Sequence, residues 1–188
     1  MTARQSKDRA PLGAQAVNRV EQRHGLEPHG GRMTSVDLLL TQFDQAYNTR
    51  SWHGTNLRGS IRGLTADDAA WRPHPERHNI HEIVVHAAYW KYAVRRRLAA
   101  EKRGSFPLKG SDWFNRRMAD AEGWGSDVAL LDGCHRGLRE AIAALAPGDL
   151  QRSVGRSVTV LSLVSGIIAH DLYHAGQIQL LKRMRGDG

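Results

Sequence analysis

The sequence predicts an all-α protein, a four-helix bundle. Three observations carry this prediction. Four long stretches place apolar residues at helical spacing; no segment makes a convincing strand with a partner; and leucine, alanine and valine are plentiful while aromatics make up 6%. At 188 residues the chain has the length for one domain with a real core.

Residues 1–32 come first and lie outside this pattern. They are polar, rich in Gly, Arg and Gln, and contain Pro11, Pro28 and Gly30-Gly31. They read as a disordered leader with room for a short helix over 14–24. They lead into no apolar core, so a signal peptide is not expected. The bundle domain is expected over 33–186, and Met33 is a candidate for the true start.

The first helical stretch covers 35–47, with Val36, Leu39, Leu40, Phe43 and Ala46 on one stripe. After a break at 48–52, residues 54–64 carry Leu57, Ile61 and Leu64; the two pieces are compatible with one kinked helix. Pro73 and Pro75 forbid helix continuation. Asn79 is a good N-cap, and Glu82 three residues on makes a capping-box-like pair. That helix reaches about Ala100 and turns Ile80, Ile83, Val84, Ala87, Trp90, Val94 and Leu98 inward. A connection over 104–125 holds Phe106-Pro107 and Asp112-Trp113-Phe114, with a short helix expected near 115–121. The third long helix is expected over 126–146, on a stripe of Leu130, Leu131, Cys134, Leu138, Ile142 and Leu145, until Pro147-Gly148 stops it. Residues 151–160 have β-propensity at Val154, Val158, Thr159 and Val160. Lacking a partner strand, they read as a loop leading into the last helix, 161–183.

Composition excludes several classes. One cysteine, Cys134, allows neither an intrachain disulfide nor a thiolate zinc cage, and suits a reducing cytoplasm. No run of ~18 apolar residues indicates a membrane span. The net charge is +8, but residues 1–32 hold six basic and three acidic side chains, and the rest is spread over a whole domain. The densest run, Arg95-Arg96-Arg97, sits at a helix end, where cations are favoured. Without aromatic–basic interleaving, nucleic acid is not the expected partner.

The last helix carries the chemistry. His170 and His174 sit four apart in an apolar run, so they stack on one face, one turn apart. On the wheel Val160, Val164, Ile167, His174, Ile178 and Leu181 share the inward face, with His170 at its edge. One inward histidine is ordinarily a core residue satisfied by a hydrogen bond. Two of them bring two desolvated rings that both need partners. They can hold a metal ion if a third ligand comes from elsewhere.

His24 and His29 lie in the leader, His53 in the first break, His74 in the proline loop and His78 at a helix start. His135, beside Cys134, flanks its helix's stripe. His86 falls beside Ile83 and Trp90 in mid-helix and is the chosen third ligand. The segment His81-Glu82-Ile-Val-Val-His86 looks like a zinc-protease motif but has one residue too many. A spacing of five turns the two rings ~140° apart, and His81 then reads as solvent-facing. Asp171 also points inward, toward a buried arginine such as Arg72 or toward a ligand histidine. Tyr173 falls on the outer flank, Gln177 can hydrogen-bond near the site, and Gly176 suits close helix packing. A site of His86, His170 and His174 has only neutral nitrogen ligands and leaves a position for water or substrate. Zinc, nickel or iron all suit imidazoles. No catalytic residue is assigned.

The chain resembles the DinB/YfiT-like superfamily of metalloenzymes over about 33–185. The resemblance rests on Trp52-His53-Gly54, on Leu64-Thr65 followed by Trp71-Arg72-Pro73, on Asn79 through Trp90, and most specifically on Gly166-Ile-Ile-Ala-His170-Asp171-Leu-Tyr173-His174-Ala-Gly176-Gln177-Ile178. It implies a four-helix bundle with an up-down-down-up course, often homodimeric. It implies a divalent metal, often nickel or zinc, on positions matching His86, His170 and His174. Some relatives transfer low-molecular-weight thiols such as bacillithiol or mycothiol, and others are called hydrolases. The leader has no counterpart in that pattern.

The expected function is therefore a divalent-metal-dependent enzyme, a thiol S-transferase or hydrolase acting on a small molecule. The thiol comes from a cosubstrate, because Cys134 is buried by pattern, and substrate enters past the loops around Trp52, Trp71 and Trp113. The alternatives are a non-catalytic metal-binding or stress-response module and a plain bundle with core histidines.

Overall fold

The computed structural model describes residues 32–102, 104, 106–116 and 120–186. The expected leader, except Arg32, and residues 117–119 of the expected short helix near 115–121 lie outside them; Asp120 and Ala121 belong to the cap and first turn of α5. Among the described residues there are six α-helices and no strand. They are α1 (Ser35–Tyr47), α2 (Leu57–Ser60), α3 (Ala66–Ala70), α4 (Ile80–Leu98), α5 (Ala121–Ala143) and α6 (Val160–Arg185), with a 3₁₀ turn at Pro147–Gln151 before α6.

Each start has a chemical reason. Thr34 and Asp37 form a full capping box at α1: the Thr34 hydroxyl takes the Asp37 amide at 3.1 Å, and the Asp37 carboxylate takes the Thr34 amide at 2.9 Å. Thr65 and Asp68 do the same for α3. The two pieces expected as one kinked helix are separate. Asn56 caps α2 by accepting the Gly59 amide at 2.8 Å, and its amide donates to the Thr49 carbonyl at 2.9 Å, which locks the break into a defined turn.

At α4 the anticipated capping box is only half made. Asn79 accepts the Glu82 amide at 2.8 Å, but the Glu82 carboxylate is engaged by Arg72, His78 and the Arg116 amide. Helix α5 starts five residues earlier than its pattern suggested, capped by Asp120, with Gly123 and Gly125 inside it. Burial of Trp124, whose indole N–H donates to the Leu64 carbonyl at 3.0 Å, outweighs their poor propensity. Further along, a Cβ at Gly137 would lie 3.2 Å from Arg95, so this glycine permits close approach of α4 and α5. Residues 152–160 close on themselves as a tight turn with one antiparallel bridge, Ser153–Thr159, so their β-propensity is satisfied over a single rung. Thr159 then caps α6, and Gly186 ends it at φ 96°.

Two apolar clusters fill the interior. One joins α1 to the C-terminal halves of α4 and α5 and the N-terminal half of α6, around Phe43, Leu138, Ile142 and Val164. The other joins the N-terminal halves of α4 and α5 to the C-terminal half of α6, around Ile83, Val84, Leu131 and Ile178. The C-terminal halves of α4 and α5 thus share a cluster with the N-terminal half of α6. The fully buried ion pair Lys91–Asp171 ties α4 to α6, with the Lys91 ammonium 4.8 and 4.9 Å from the Phe43 and Tyr47 rings. Asp171 therefore pairs with Lys91, and Arg72 with Glu82. No helix among the described residues is long and apolar enough to cross a membrane.

Candidate metal centre

The first nine residues of α4, from Ile80 to Ala88, are all buried. This end of the helix is enclosed on every side, so its wheel has no solvent face. His81, expected to face solvent, is fully buried and holds Asp127 of α5 at 2.7 Å, where Arg116 also binds at 2.6 Å. On the same rigid segment His86 points toward α6.

There it meets the pair predicted from spacing. His86 Nε2 lies 3.1 Å from His170 Nε2, and His170 Nε2 lies 3.1 Å from His174 Nε2. One ligand atom from each of the three residues falls within a 4.8 Å set. Nitrogens bound at 2.0–2.1 Å to one ion would stand roughly 3.0–3.4 Å apart, so the spacing suits an ion.

The outward nitrogens settle the ring states. His86 Nδ1 donates to the Asp112 carbonyl at 2.9 Å, and His174 Nδ1 donates to Gln177 Oε1 at 2.7 Å. Both rings therefore turn an Nε2 lone pair inward. His170 can offer at most one Nε2 proton between them, so at least one of the two 3.1 Å contacts sets lone pair against lone pair. A cation at the centre removes that conflict. Burial also pushes the protonated forms down: His86 lies below its ordinary value, His174 at about 4 and His170 at about 3, the last two lowered further by neighbouring histidines. All three are neutral at pH 7, the state a metal needs. The residues present fit a divalent ion.

The surrounding shell was largely invisible in the sequence. Asp112, at φ 64°, takes His86 with its carbonyl and the Trp90 indole N–H with its carboxylate at 2.8 Å. Trp113 stacks on His86 at 3.9 Å, and on its other face His78 stacks at 3.6 Å. His78 in turn bonds Glu82 at 2.9 Å. Burial pushes the Glu82 carboxyl up, but the Arg72 guanidinium, His78 and the Arg116 amide outweigh it and hold the group at about 2. Only the aromatic residues of this loop hinted at such a role; a left-handed aspartate has no sequence signal of its own.

Other expectations fall out differently. Of the three tryptophans expected at the entrance, Trp113 reaches the site, while Trp52 is fully exposed and Trp71 packs on the second apolar cluster. Gln177 does bond at the site, and its amide also donates to the Tyr173 hydroxyl at 3.0 Å. Tyr173 is 63% exposed, as its flank position implied. Gly176 faces open space, so it serves no close packing. His135 takes the inward position expected of Cys134, stacked between Phe43 and Tyr47. Cys134 is half-buried, and burial pushes its thiol up to about 11. His53 and His74 are exposed, and His24 and His29 lie outside the described residues.

A helical bundle whose interior brings three imidazoles to one point is a metal-binding architecture in form. The family model of the DinB superfamily matches residues 50–178, and the chain belongs to that superfamily, a metal-binding one. The matched segment contains all three histidines. No curated protein matches the chain at a significant level.

Proposed function

We propose that the protein is a divalent-metal-dependent enzyme that transfers a low-molecular-weight thiol to a small electrophile, with His86, His170 and His174 as metal ligands. The observation that carries this reading is the convergence of three Nε2 atoms, two of them held as acceptors by Asp112 and Gln177. Zinc and nickel suit the donor set best, and iron is compatible with it. A divalent ion held there would act as a Lewis acid, lowering the pKa of a thiol or of water.

The chain's own residues favour the thiol over hydrolysis. Among the described residues the ligand cluster is three imidazoles, and the Asp112 carboxylate beside it, 3.2 Å from His86 Nδ1, is already taken by the Trp90 indole N–H. A free thiol has a pKa of about 8.5 and needs far less assistance than water to ionise. Cys134 is too basic at about 11 to supply the nucleophile, which points to a cosubstrate. Trp113 covers one face of His86 and keeps bulk water from it, while Tyr173 and Gln177 present a hydroxyl and an amide on the α6 side. The test is elemental analysis of untagged protein, followed by a screen of thiols with an electrophile. About one metal per chain and metal-dependent thiol consumption are expected. Ester turnover without thiol consumption would favour hydrolysis and refute the transferase reading.

A second reading, a non-catalytic metal-binding module, draws on the burial of two of the three histidines, with Trp113 stacked on the first: His86 is 6% and His174 3% exposed. Stoichiometric metal with neither activity would support it. We further propose that residues 33–186 form the functional domain behind a leader of 1–32, that the protein works in the cytoplasm, and that it pairs with a second copy through α6. In support of pairing, the outer face of α6 leaves Tyr173, Leu180 and Met184 63%, 59% and 56% exposed on a helix whose inner face is already spent on the core. Light scattering tests it: a dimer is expected, and Leu180→Glu should give a monomer.

A further inference from the structure

A second polar cleft, of about 510 Å³, opens where the end of α1 meets α2 and the middle of α5. Three guanidinium groups line it, Arg58, Arg62 and Arg136, and one carboxylate, Asp132. That carboxylate is already taken. Arg58 Nε donates to its two oxygens at 3.0 and 3.3 Å, and the Tyr47 hydroxyl donates to it as well. Arg62 and Arg136 have no ion-pair partner among the described residues. Arg72, Arg95, Arg116, Arg139 and Arg185 each have one. His135, the remaining ionisable wall, is buried between two aromatic rings and stays neutral. The cleft therefore carries two uncompensated positive charges, and none of its residues belongs to the three-histidine cluster.

We propose that this cleft binds a small organic anion through Arg62 and Arg136. Guanidinium forks match the oxygens of carboxylates and phosphates. The volume lies within the roughly 300–1,000 Å³ range of small-molecule sites, so the charged group is carried on an organic body larger than a bare inorganic ion. Asp132 plays a supporting part. By holding Arg58 and Tyr47 it fixes the wall between α1, α2 and α5 and leaves the other two cations free for the ligand.

The test is calorimetric titration of the full chain with citrate and, separately, with glycerol 3-phosphate, in chloride buffer near physiological ionic strength. Saturable binding of one probe at one per chain is expected, and which probe binds distinguishes a carboxylate from a phosphate ester. Replacing both arginines (Arg62→Gln with Arg136→Gln) should weaken it at least ~10-fold, the loss of one or more charge-assisted hydrogen bonds. Both side chains are exposed, so thermal unfolding should be unchanged; each single variant is read the same way, and either one must weaken binding. Arg183→Gln, on the exposed face of α6, should bind as wild type. Since either probe could also approach a metal, the titration is repeated on His174→Ala, where binding must persist. Failure of both probes to saturate, wild-type affinity in the double variant, or loss of binding in His174→Ala would overturn the proposal.

Discussion

Replacing Glu82 by glutamine tests how the start of α4 is held. The carboxylate accepts from Arg72 at 2.5 and 3.1 Å, from His78 at 2.9 Å and from the Arg116 amide at 3.3 Å, with its side chain 7% exposed. Its pKa falls from 4.5 to about 2. At 1.36 kcal/mol per unit, that is about 3 kcal/mol of stability. The folded value is the depressed one. The contribution is therefore complete above the unfolded pKa of 4.5, shrinks below it, and is gone once the pH falls through about 2. Urea unfolding of wild type and Glu82→Gln across pH 7 to 2 measures it. Taking the difference between the two curves cancels the other carboxylates that titrate in the same window. A gap of about 3 kcal/mol at pH 7 that closes toward pH 2 is expected. A gap below about 0.5 kcal/mol, or one independent of pH, would refute the claim that this network is a net stabiliser.

Further outcomes are expected elsewhere. His174→Ala should lose its bound metal in elemental analysis, and with it the rise in melting temperature that added metal gives wild type, about 2.7 kcal/mol at a hundredfold excess over Kd. Gln177→Leu removes the partner of His174 Nδ1 while leaving all three ligands, so metal affinity by competition titration should fall ~10–100-fold with the fold intact. Lys91→Met strands the Asp171 carboxylate in the core and should cost about 3–5 kcal/mol in urea unfolding, much of it recovered when Asp171→Leu is added. The Cys134 thiol, at about 11, should react with a disulfide reagent at pH 8 far more slowly in the folded protein than in denaturant.

Much of the bundle was legible because its signals are local. Asn79 caps α4 as its sequence position indicated, and the periodicity of α1, α4 and α6 survives into the structure. Two members of the histidine cluster were legible for the same reason: the i, i+4 spacing of His170 and His174 within one apolar run requires no tertiary knowledge, whereas His86 had to be chosen from its place on the α4 wheel. Errors arose where tertiary context overrides pattern. Two glycines hid the first turn of α5, because the burial of Trp124 cannot be read from propensity. His81 looked solvent-facing because a wheel assumes one exposed side, and this end of α4 has none. His135 displaced Cys134 from the core through two aromatic stacks that come from α1. Asp112 and Trp113, which hold and cover His86, lie in a loop whose backbone conformation leaves no periodic trace.

These overridden positions are also what connects the candidate site to the fold. His86 is placed by α4, but its ring is fixed by Asp112 and Trp113, and Trp113 is pressed onto it by His78. His78 is held by Glu82, and the far end of the same loop is held by Arg116 on Glu82 and Asp127. Residues 112–116 thus have two anchors, the His86 ring and the buried carboxylates at the start of α4 and α5. Losing the carboxylate anchor frees Trp113 without touching a ligand. Glu82→Gln should therefore weaken metal binding even though the Glu82 side chain makes its hydrogen bonds to Arg72, His78 and Arg116 and not to the His86 ring. Metal affinity unchanged in a variant that has lost the expected stability would separate the two anchors and show that Asp112 alone orients His86.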